Sequence, residues 1–498
     1  MRPWGLLGNI CPSQSSSPDA VELDCESRGL RPAQRTTPVK SLSRHSALPV
    51  PLIFCLLMSC SRESSGAFHP IVVFGVDGLE WSVLRPLVAS GELPAFQRLM
   101  NRGRFGKLST LLPTVSPAIW TSVATGKVPA KHGIPNFVKS TAEASARAGR
   151  LYTNTDRSAK AVWNIFSDYE LTTHTIGWWM TYPVEPVRGS MVSQTNTASQ
   201  IKISYGRGVW KGSLVPGRRS QVYPPGDEAR VFDLAEAVES ELPQLLDETF
   251  GRFPNPPTEL DRRLWDNTQW AFRADVIYER VAKQIVSRKE PFDVLMLYLG
   301  GPDVVGHRFW RYRDPEEFAH PPEEAQIENF GGVIDDYYRH VDRAIGSVLE
   351  CLPSDATVFV LSDHGMVPIN RDQRFDRADV PRDVNSGHHM LAPPGVLIAS
   401  GRSIARGTGT IDGELPFIGS VVDLAPTLLA LKQLPVGRDM DGRVLESLFE
   451  GGFLRDHPIR YVDSHDTDDW RASRPTVSVP KDIEAERQQQ LRALGYID

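Results

Sequence analysis

The run IVVFGV at residues 71–76 is apolar throughout and lacks the alternation of a half-exposed strand. A central parallel strand buried on both faces carries this pattern. It ends in Asp77-Gly78. LPAFQRLMNRG (93–103) spaces its apolar residues at helical intervals and closes on Gly103. RFGKLSTLLP (104–113) reads as a second strand, and a helix follows over about 117–125. Three more strands come later: FDVLMLYLG (292–300), ATVFVLSDHG (356–365) and GVLIASG (395–401). Between and after them lie the amphipathic helix YYRHVDRAIGSVLECL (337–352) and the helix DLAPTLLALKQL (423–434), with Pro426 in its first turn. Alternating strands and helices predict an α/β sandwich around a mostly parallel sheet.

Two regions break this rhythm. Residues 140–290 are rich in Trp, Tyr, Pro and Arg, with IGWWMTYPVEPVRGSMVS (176–193) at their centre. They read as an inserted, partly helical cap over the sheet edge. After residue 450 the chain is polar and irregular, and it ends in a short charged helix (481–498). The expected organisation is a leader and linker over 1–67, one domain over 68–450 and a tail over 451–498.

Residues 1–46 are rich in Ser, Pro and Arg and show no apolar period. ALPVPLIFCLLMSC (47–60) then follows Arg44 and His45. That apolar run is too short to span a bilayer and fits a signal-peptide core; the competing reading is a short buried helix. LMSC (57–60), followed by polar SRESSG, resembles the lipobox of bacterial lipoproteins, with bulky Met58 as a departure. It implies export and a membrane anchor through a lipidated Cys60, and the long polar lead fits a start codon placed too early. Of five cysteines (11, 25, 55, 60 and 351), cleavage would leave Cys60 and Cys351, which provides no disulfide framework.

Composition adds limits rather than identity. The chain has 498 residues, 41% hydrophobic and 23% charged, as in an ordinary globular protein. Its net charge of -6 and lack of Lys/Arg runs argue against a nucleic-acid grip.

The chemistry gathers where the strands end. In an open α/β sheet, ligands bind beyond the carboxyl ends of the strands. Asp77 follows the first strand and Ser116 the second. Asp303 and His307 follow the third, Asp363 and His364 the fourth, and His388 and His389 lie shortly before the last. Asp303 and His307 are four apart, on one face of a helical turn, where both can hold one cation. Asp363 and His364 share a tight turn that Gly365 is expected to let the chain leave sharply.

Taken in order, VFGVDGLEW, PTVSPAIWTSVATGKVPAKHGI, GPDVVGH, LSDHGM and SGHHM followed by GVLIASG resemble the motif set of the alkaline phosphatase superfamily. The nearest pattern is its type I phosphodiesterase and nucleotide pyrophosphatase branch, in particular bacterial alkaline phosphatase family members, over residues 68–445. The resemblance implies an alkaline-phosphatase-like α/β/α sandwich and two divalent metal ions, usually zinc. One ion would sit on Asp303, His307 and His389, which fits the family's Gly-x-His pattern; His388 stays open as the alternative. The other would sit on Asp77, Asp363, His364 and the Ser116 hydroxyl.

In this resemblance Ser116 is the nucleophile that attacks phosphorus. A free serine hydroxyl is nearly inert at neutral pH, and a dication stabilises its alkoxide. Ser116 reads as the N-cap ahead of Pro117, where helix N–H groups favour an anionic phosphate. The implied partner is a small-molecule phosphodiester or phosphomonoester. Related activities are phosphoethanolamine transfer and sulfate or phosphonate ester hydrolysis, and a different class is a catalytically silent metal-stabilised binding protein. Eukaryotic-type nucleotide pyrophosphatases carry Thr and, three residues on, Asn; this chain has Ser116 and Ile119. Lys127, Lys131 and His132 either contribute in its place or belong to the start of the next loop as solvated side chains. Trp178, Trp179 and Tyr182 are either a stacking pocket or core, and Arg308, Arg311 and Arg313 either meet phosphate or face water.

Overall fold

The computed structural model describes residues 69–139, 150–194, 214, 219–266, 268–318, 320–369, 385–390, 393–407 and 410–473. The lipobox-like Leu57–Cys60 and the charged stretch 481–498 lie outside the described residues. No helix among the described residues is long and apolar enough to cross a membrane.

Among the described residues, nine strands form one sheet. In chain order they are β1 (Ile71–Val76), β2 (Gly103–Ser109), β3 (Thr173–Ile176), β4 (Gly189–Val192), β5 (Val222–Tyr223), β6 (Val294–Leu299), β7 (Thr357–Leu361), β8 (Gly395–Ser400) and β9 (Phe417–Ser420). Their spatial order is β9-β2-β8-β7-β1-β6-β3-β4-β5. The centre is parallel: β1 pairs with β6 and β7, and β3 with β6 and β4. β8 runs antiparallel to both β7 and β2.

Strand periodicity divides each central strand between two cores. Val72, Phe74 and Val76 of β1 face one way, with Leu295, Leu297 and Leu299 of β6. They meet helices α1 (Trp81–Ala89), α2 (Pro94–Arg102), α5 (Gln269–Ser287), α6 (Gly301–Arg313) and α7 (Val333–Leu349). Ile71, Val73, Met296 and Tyr298 face the other way, against α3 (Ser116–Thr125) and α8 (Leu424–Leu431). The long α4 (Glu228–Phe250) packs outside α5. This is the expected α/β/α sandwich, and it explains why β1 and β6 carry no charged residue. Truncating a side chain such as fully buried Phe74 to Ala costs about 3–5 kcal/mol.

The stretch 140–290, expected as an insertion over the sheet edge, also builds the sheet. It supplies β3, β4 and β5 along one side, and α5 on one face. THTI and GSMV are short and show neither a continuous apolar run nor strict alternation, so neither strand template picks them out.

Candidate active site

Asp77 stands at the carboxyl end of β1, where its backbone N–H donates to the Leu299 carbonyl (2.9 Å). The chain turns at Gly78, whose φ is +68°. A Cβ there would lie 2.7 Å from the Asp303 Cα, so glycine serves both the turn and the close approach of the segments that carry Asp77 and Asp303. Oδ2 of Asp77 accepts hydrogen bonds from the Tyr298 hydroxyl and from Trp120 Nε1 (3.0 Å). Its Oδ1 is buried and has no hydrogen-bond partner.

Asp303 and His307 occupy the first turns of α6. The carboxylate of Asp275 accepts from Gly300 N and Gly301 N, both at 2.9 Å, and so holds the start of that helix. His307 Nε2 lies 3.3 Å from Asp303 Oδ1. Asp363 and His364 follow β7. Ser362 Oγ accepts from Leu79 N (2.9 Å) and donates to His364 O (2.6 Å), tying this turn to the Asp77 loop. His364 Nε2 lies 3.2 Å from Asp363 Oδ2 and 3.6 Å from Asp77 Oδ1. Gly365 is needed for space rather than for a left-handed turn: a Cβ would reach Pro393 O at 2.9 Å and would also collide with the Glu80 carboxylate.

His389, rather than its neighbour His388, enters the cluster, with Nε2 3.9 Å from Asp303 Oδ1. Its ring stacks on His364 at 4.0 Å and 21°. His388 instead pairs in a short antiparallel ladder with Val367.

The three imidazoles share one arrangement. His307 Nδ1 faces Gly387 O (2.9 Å), and His364 Nδ1 faces Gly365 O (3.1 Å). His389 Nδ1 faces Thr114 Oγ1 (3.1 Å), whose own proton goes to His389 O. A carbonyl acceptor requires the proton on Nδ1, so each neutral ring turns its Nε2 lone pair inward. Anchoring Nδ1 in this way is how proteins orient histidines that ligate a metal.

Ser116 is the first residue of α3, and Val115 takes the N-cap position with no side-chain cap bond. The N-cap role expected for Ser116 is therefore shifted by one residue, with Pro117 at the second helical position. The hydroxyl is consequently not spent on the helix. It is buried, at 2% exposure, and its Oγ has no hydrogen-bond partner. The chain on either side touches the cluster, through Thr114 on His389 and Trp120 on Asp77.

Two groups have ligand atoms mutually within 4.8 Å: Asp303, His307 and His389, and Asp77, Asp303 and His364. Asp303 belongs to both, whereas the resemblance gave it to one. The electrostatics of the bare cluster are unfavourable. Burial, with the Asp303 charge adding to it, pushes Asp77 up to about 7. Burial, then Asp77 and Asp303, pushes Asp363 well above the ordinary carboxylate range. Asp303 goes the other way, because the three histidines outweigh its burial. Burial holds His364 down at about 4 and His389 well below the ordinary range. Buried oxygens and imidazole nitrogens short of positive charge suit a divalent cation. The orphaned Asp77 Oδ1, Asp363 Oδ2, His364 Nε2 and Ser116 Oγ fit that donor set.

A family model, type I phosphodiesterase / nucleotide pyrophosphatase, matches residues 71–406. The chain belongs to this family. A 2,3-bisphosphoglycerate-independent phosphoglycerate mutase from Cellvibrio japonicus (strain Ueda107) is 32% identical over 109 residues, 22% of this chain and 18% of the mutase. The chain thus spans less than a fifth of that relative's length. Among solved structures, phosphonoacetate hydrolase from Sinorhizobium meliloti 1021, in complex with phosphonoformate, is 17% identical, with a TM-score of 0.38 over 60% of this chain and 57% of that one. Human ectonucleotide pyrophosphatase / phosphodiesterase 5 is 13% identical, with a TM-score of 0.42 over 77% of this chain and all of that one.

Several other candidates of this family member are engaged elsewhere. Lys127 pairs with Asp439 and Asp466, and Lys131 with Asp441. His132 Nε2 meets Ser122 Oγ (2.9 Å), and its Nδ1 accepts from Ile134 N (3.2 Å). Ile119 is fully buried in the core. Trp178 and Trp179 are core residues too, and Trp179 Nε1 donates to the Tyr298 hydroxyl (2.8 Å). Tyr182 is half-buried, and its carbonyl accepts from Asn154 N (3.1 Å). Arg308 donates to Thr268 Oγ1 (3.0 Å), Arg311 to His320 O (3.3 Å), and Arg313 pairs with Asp335 and Asp314.

Tyr298, Trp120, Thr114, Glu80 and Asp275 were not visible as site residues in the sequence. Glu80 joins the Asp77 and Asp363 loops, accepting from Ser82 N (3.0 Å) and Met366 N (3.0 Å). The only sequence signal for any of these is that Trp120 lies four residues after Ser116, on the same helix face.

Proposed function

We propose that the chain is a metal-dependent phosphoric ester hydrolase that cleaves phosphodiesters or phosphomonoesters through a covalent phosphoserine at Ser116. The observation that carries this is the buried, unpartnered Ser116 Oγ, on a segment whose flanks touch His389 and Asp77. Asp303, His307 and His389 would hold one divalent ion, and Asp77, Asp363, His364 and Ser116 a second, with zinc the best match to the donors. When bound, these ions supply Lewis-acid polarisation of the phosphoryl oxygens and favour the alkoxide form of the serine.

The residues of the chain do the rest. Oγ of Ser116 attacks phosphorus in line with the scissile bond, the P–O ester bond breaks and the alcohol departs. Water then cleaves the phosphoserine, and the Ser116 hydroxyl regains its proton. At the start of α3 Pro117 has no N–H and those of Ala118 and Ile119 donate to the Val115 carbonyl (2.9 and 3.0 Å), so the helix favours the anionic group being transferred through its dipole rather than through free N–H groups. Buried Ile119 offers no hydrogen bond to phosphate, which weighs against a nucleotide pyrophosphatase that depends on Asn at that place. The proposal also includes export and a lipid anchor at Cys60, supported by the apolar run before it. The mass of the mature N-terminus checks that part.

The central test pairs metal content by mass spectrometry with a panel of bis(p-nitrophenyl) phosphate, p-nitrophenyl phosphate, p-nitrophenyl sulfate and a phosphonate ester. Faster turnover of a phosphate ester than of the sulfate, with two ions per chain, supports the reading. Two bound ions with no turnover of any member would point to a silent binding protein.

A further inference from the structure

Oδ2 of Asp77 accepts two hydrogen bonds from donors that sequence patterns do not single out. One is the Tyr298 hydroxyl, which itself accepts from Trp179 Nε1 (2.8 Å). The other is Trp120 Nε1 (3.0 Å). The donors are locked against each other. Trp120 and Tyr298 meet edge to face, 5.2 Å apart at 90°, and Trp178 closes on Trp120 at 5.0 Å and 86°. Gly75 sits beside Tyr298 in the β1–β6 ladder, and a Cβ there would press on Trp120 at 2.7 Å. The strand has thus given up a side chain so that the indole can lie over it.

A carboxylate with two equivalent oxygens can chelate an ion through both, swing between them or take up a proton. Here one oxygen is saturated by neutral, buried donors and the other is left bare. We propose that Tyr298 and Trp120 are positioning residues that make Asp77 Oδ1 its single ligand atom, and that Trp120 also sets the Ser116 helix in register with it. Trp120 can do both because it is four residues beyond Ser116 on α3, so one rigid turn links nucleophile and ligand. This rests on the proposed two-ion site, and the test separates the two ideas.

The experiment measures zinc affinities of the full chain by competition with a chromogenic chelator, for wild type, Tyr298→Phe, Trp120→Phe and Tyr278→Phe. Tyr278→Phe is the control, since it also loses a buried phenol bond, to Ser193 O (3.3 Å), away from the ligands. In Tyr298→Phe and Trp120→Phe one of the two dissociation constants should rise about 10–100-fold, the usual scale for groups that orient a metal ligand. The other constant should stay within a few-fold, and Tyr278→Phe should change neither. At saturating zinc, Tyr298→Phe should recover its kcat on bis(p-nitrophenyl) phosphate. Trp120→Phe should stay low by roughly tenfold or more, because its nucleophile remains misplaced. Wild-type affinities at both sites in Tyr298→Phe and Trp120→Phe overturn the inference alone. Equal weakening in all three variants also overturns it, since that would be general loosening. A wild-type chain that binds no zinc overturns both the inference and the reading it rests on.

Discussion

Replacing Ser116 by Ala separates chemistry from stability, and the structure sets the expected size of each effect. The hydroxyl is buried and makes no hydrogen bond, and it does not cap α3. Burying an unpaired hydroxyl costs about 1–3 kcal/mol. In protein stripped of divalent ions, Ser116→Ala should therefore unfold no more easily than wild type, and up to about 1 kcal/mol of added stability is reasonable on that scale. With ions bound the hydroxyl gains a partner, and this advantage should vanish. Turnover should respond in the opposite way. Without Oγ the proposed phosphoserine cannot form, and the expected loss of at least about 10³-fold in kcat/KM corresponds to roughly 4 kcal/mol of barrier. The assays are urea unfolding in EDTA and in zinc, zinc content, and hydrolysis of bis(p-nitrophenyl) phosphate. Retention of more than a tenth of the activity would refute the nucleophile. A loss of over 1 kcal/mol in the EDTA titration would show instead that the hydroxyl serves the fold.

Chelation should lower the stability of wild type, because ions that bind only the folded chain at 100 times their dissociation constant add about 2.7 kcal/mol each; an unchanged melting temperature in EDTA would count against bound ions. Gly78→Ala should weaken zinc binding and destabilise by about 1–3 kcal/mol, since its φ is +68° and its Cβ would sit 2.7 Å from the Asp303 Cα; wild-type zinc titration and unfolding midpoints would show that the turn tolerates a side chain. Asp275→Asn should flatten a pH dependence. Burial raises Asp275 from 3.8 to about 7, so the folded chain keeps a proton that the unfolded chain has already released. Stability from this group is therefore fully present below about 4, falls as pH rises to 7 and levels off above, by roughly 4 kcal/mol. Urea midpoints at pH 4.5 and 8 should differ less in the variant, and identical slopes would refute the assignment.

The sequence is most readable where burial is most complete. Residues 71–76, 294–299, 357–361 and 395–400 are all apolar or small because both faces of those strands are covered, and each appears as a strand. Asp77, Asp303, His307, Asp363 and His364 could be picked out because ligands collect at the carboxyl ends of such strands. β3 and β4 were hidden because their polar residues are buried: Thr173 and Thr175 are fully covered, against the usual link between threonine and exposure. The anchoring groups were hidden for another reason. Thr114, Trp120 and Tyr298 gain their roles only when distant segments meet, and nothing local distinguishes them from loop or core residues.

The site and the core divide their tasks unevenly. Three of the clustered side chains have one polar atom fixed by a partner from another segment: Asp77 by Tyr298 and Trp120, His307 by Gly387, His389 by Thr114. The remaining atoms face one another, so three carboxylates and three imidazoles crowd together with only the Asp303–His307 pair offsetting charge. Such an arrangement destabilises the bare fold, and a cation relieves it. Something else must hold the chain in this geometry first, and the two apolar cores on either face of β1 and β6 are placed to do so. The order of cause is then burial, then geometry, then metal. A core truncation such as Phe74→Ala should weaken zinc binding only as far as it populates unfolded chain, whereas Tyr298→Phe should weaken it in a chain that remains folded. Zinc titrations performed at matched fractions of folded protein distinguish these outcomes, and equal effects of the two substitutions would contradict the order.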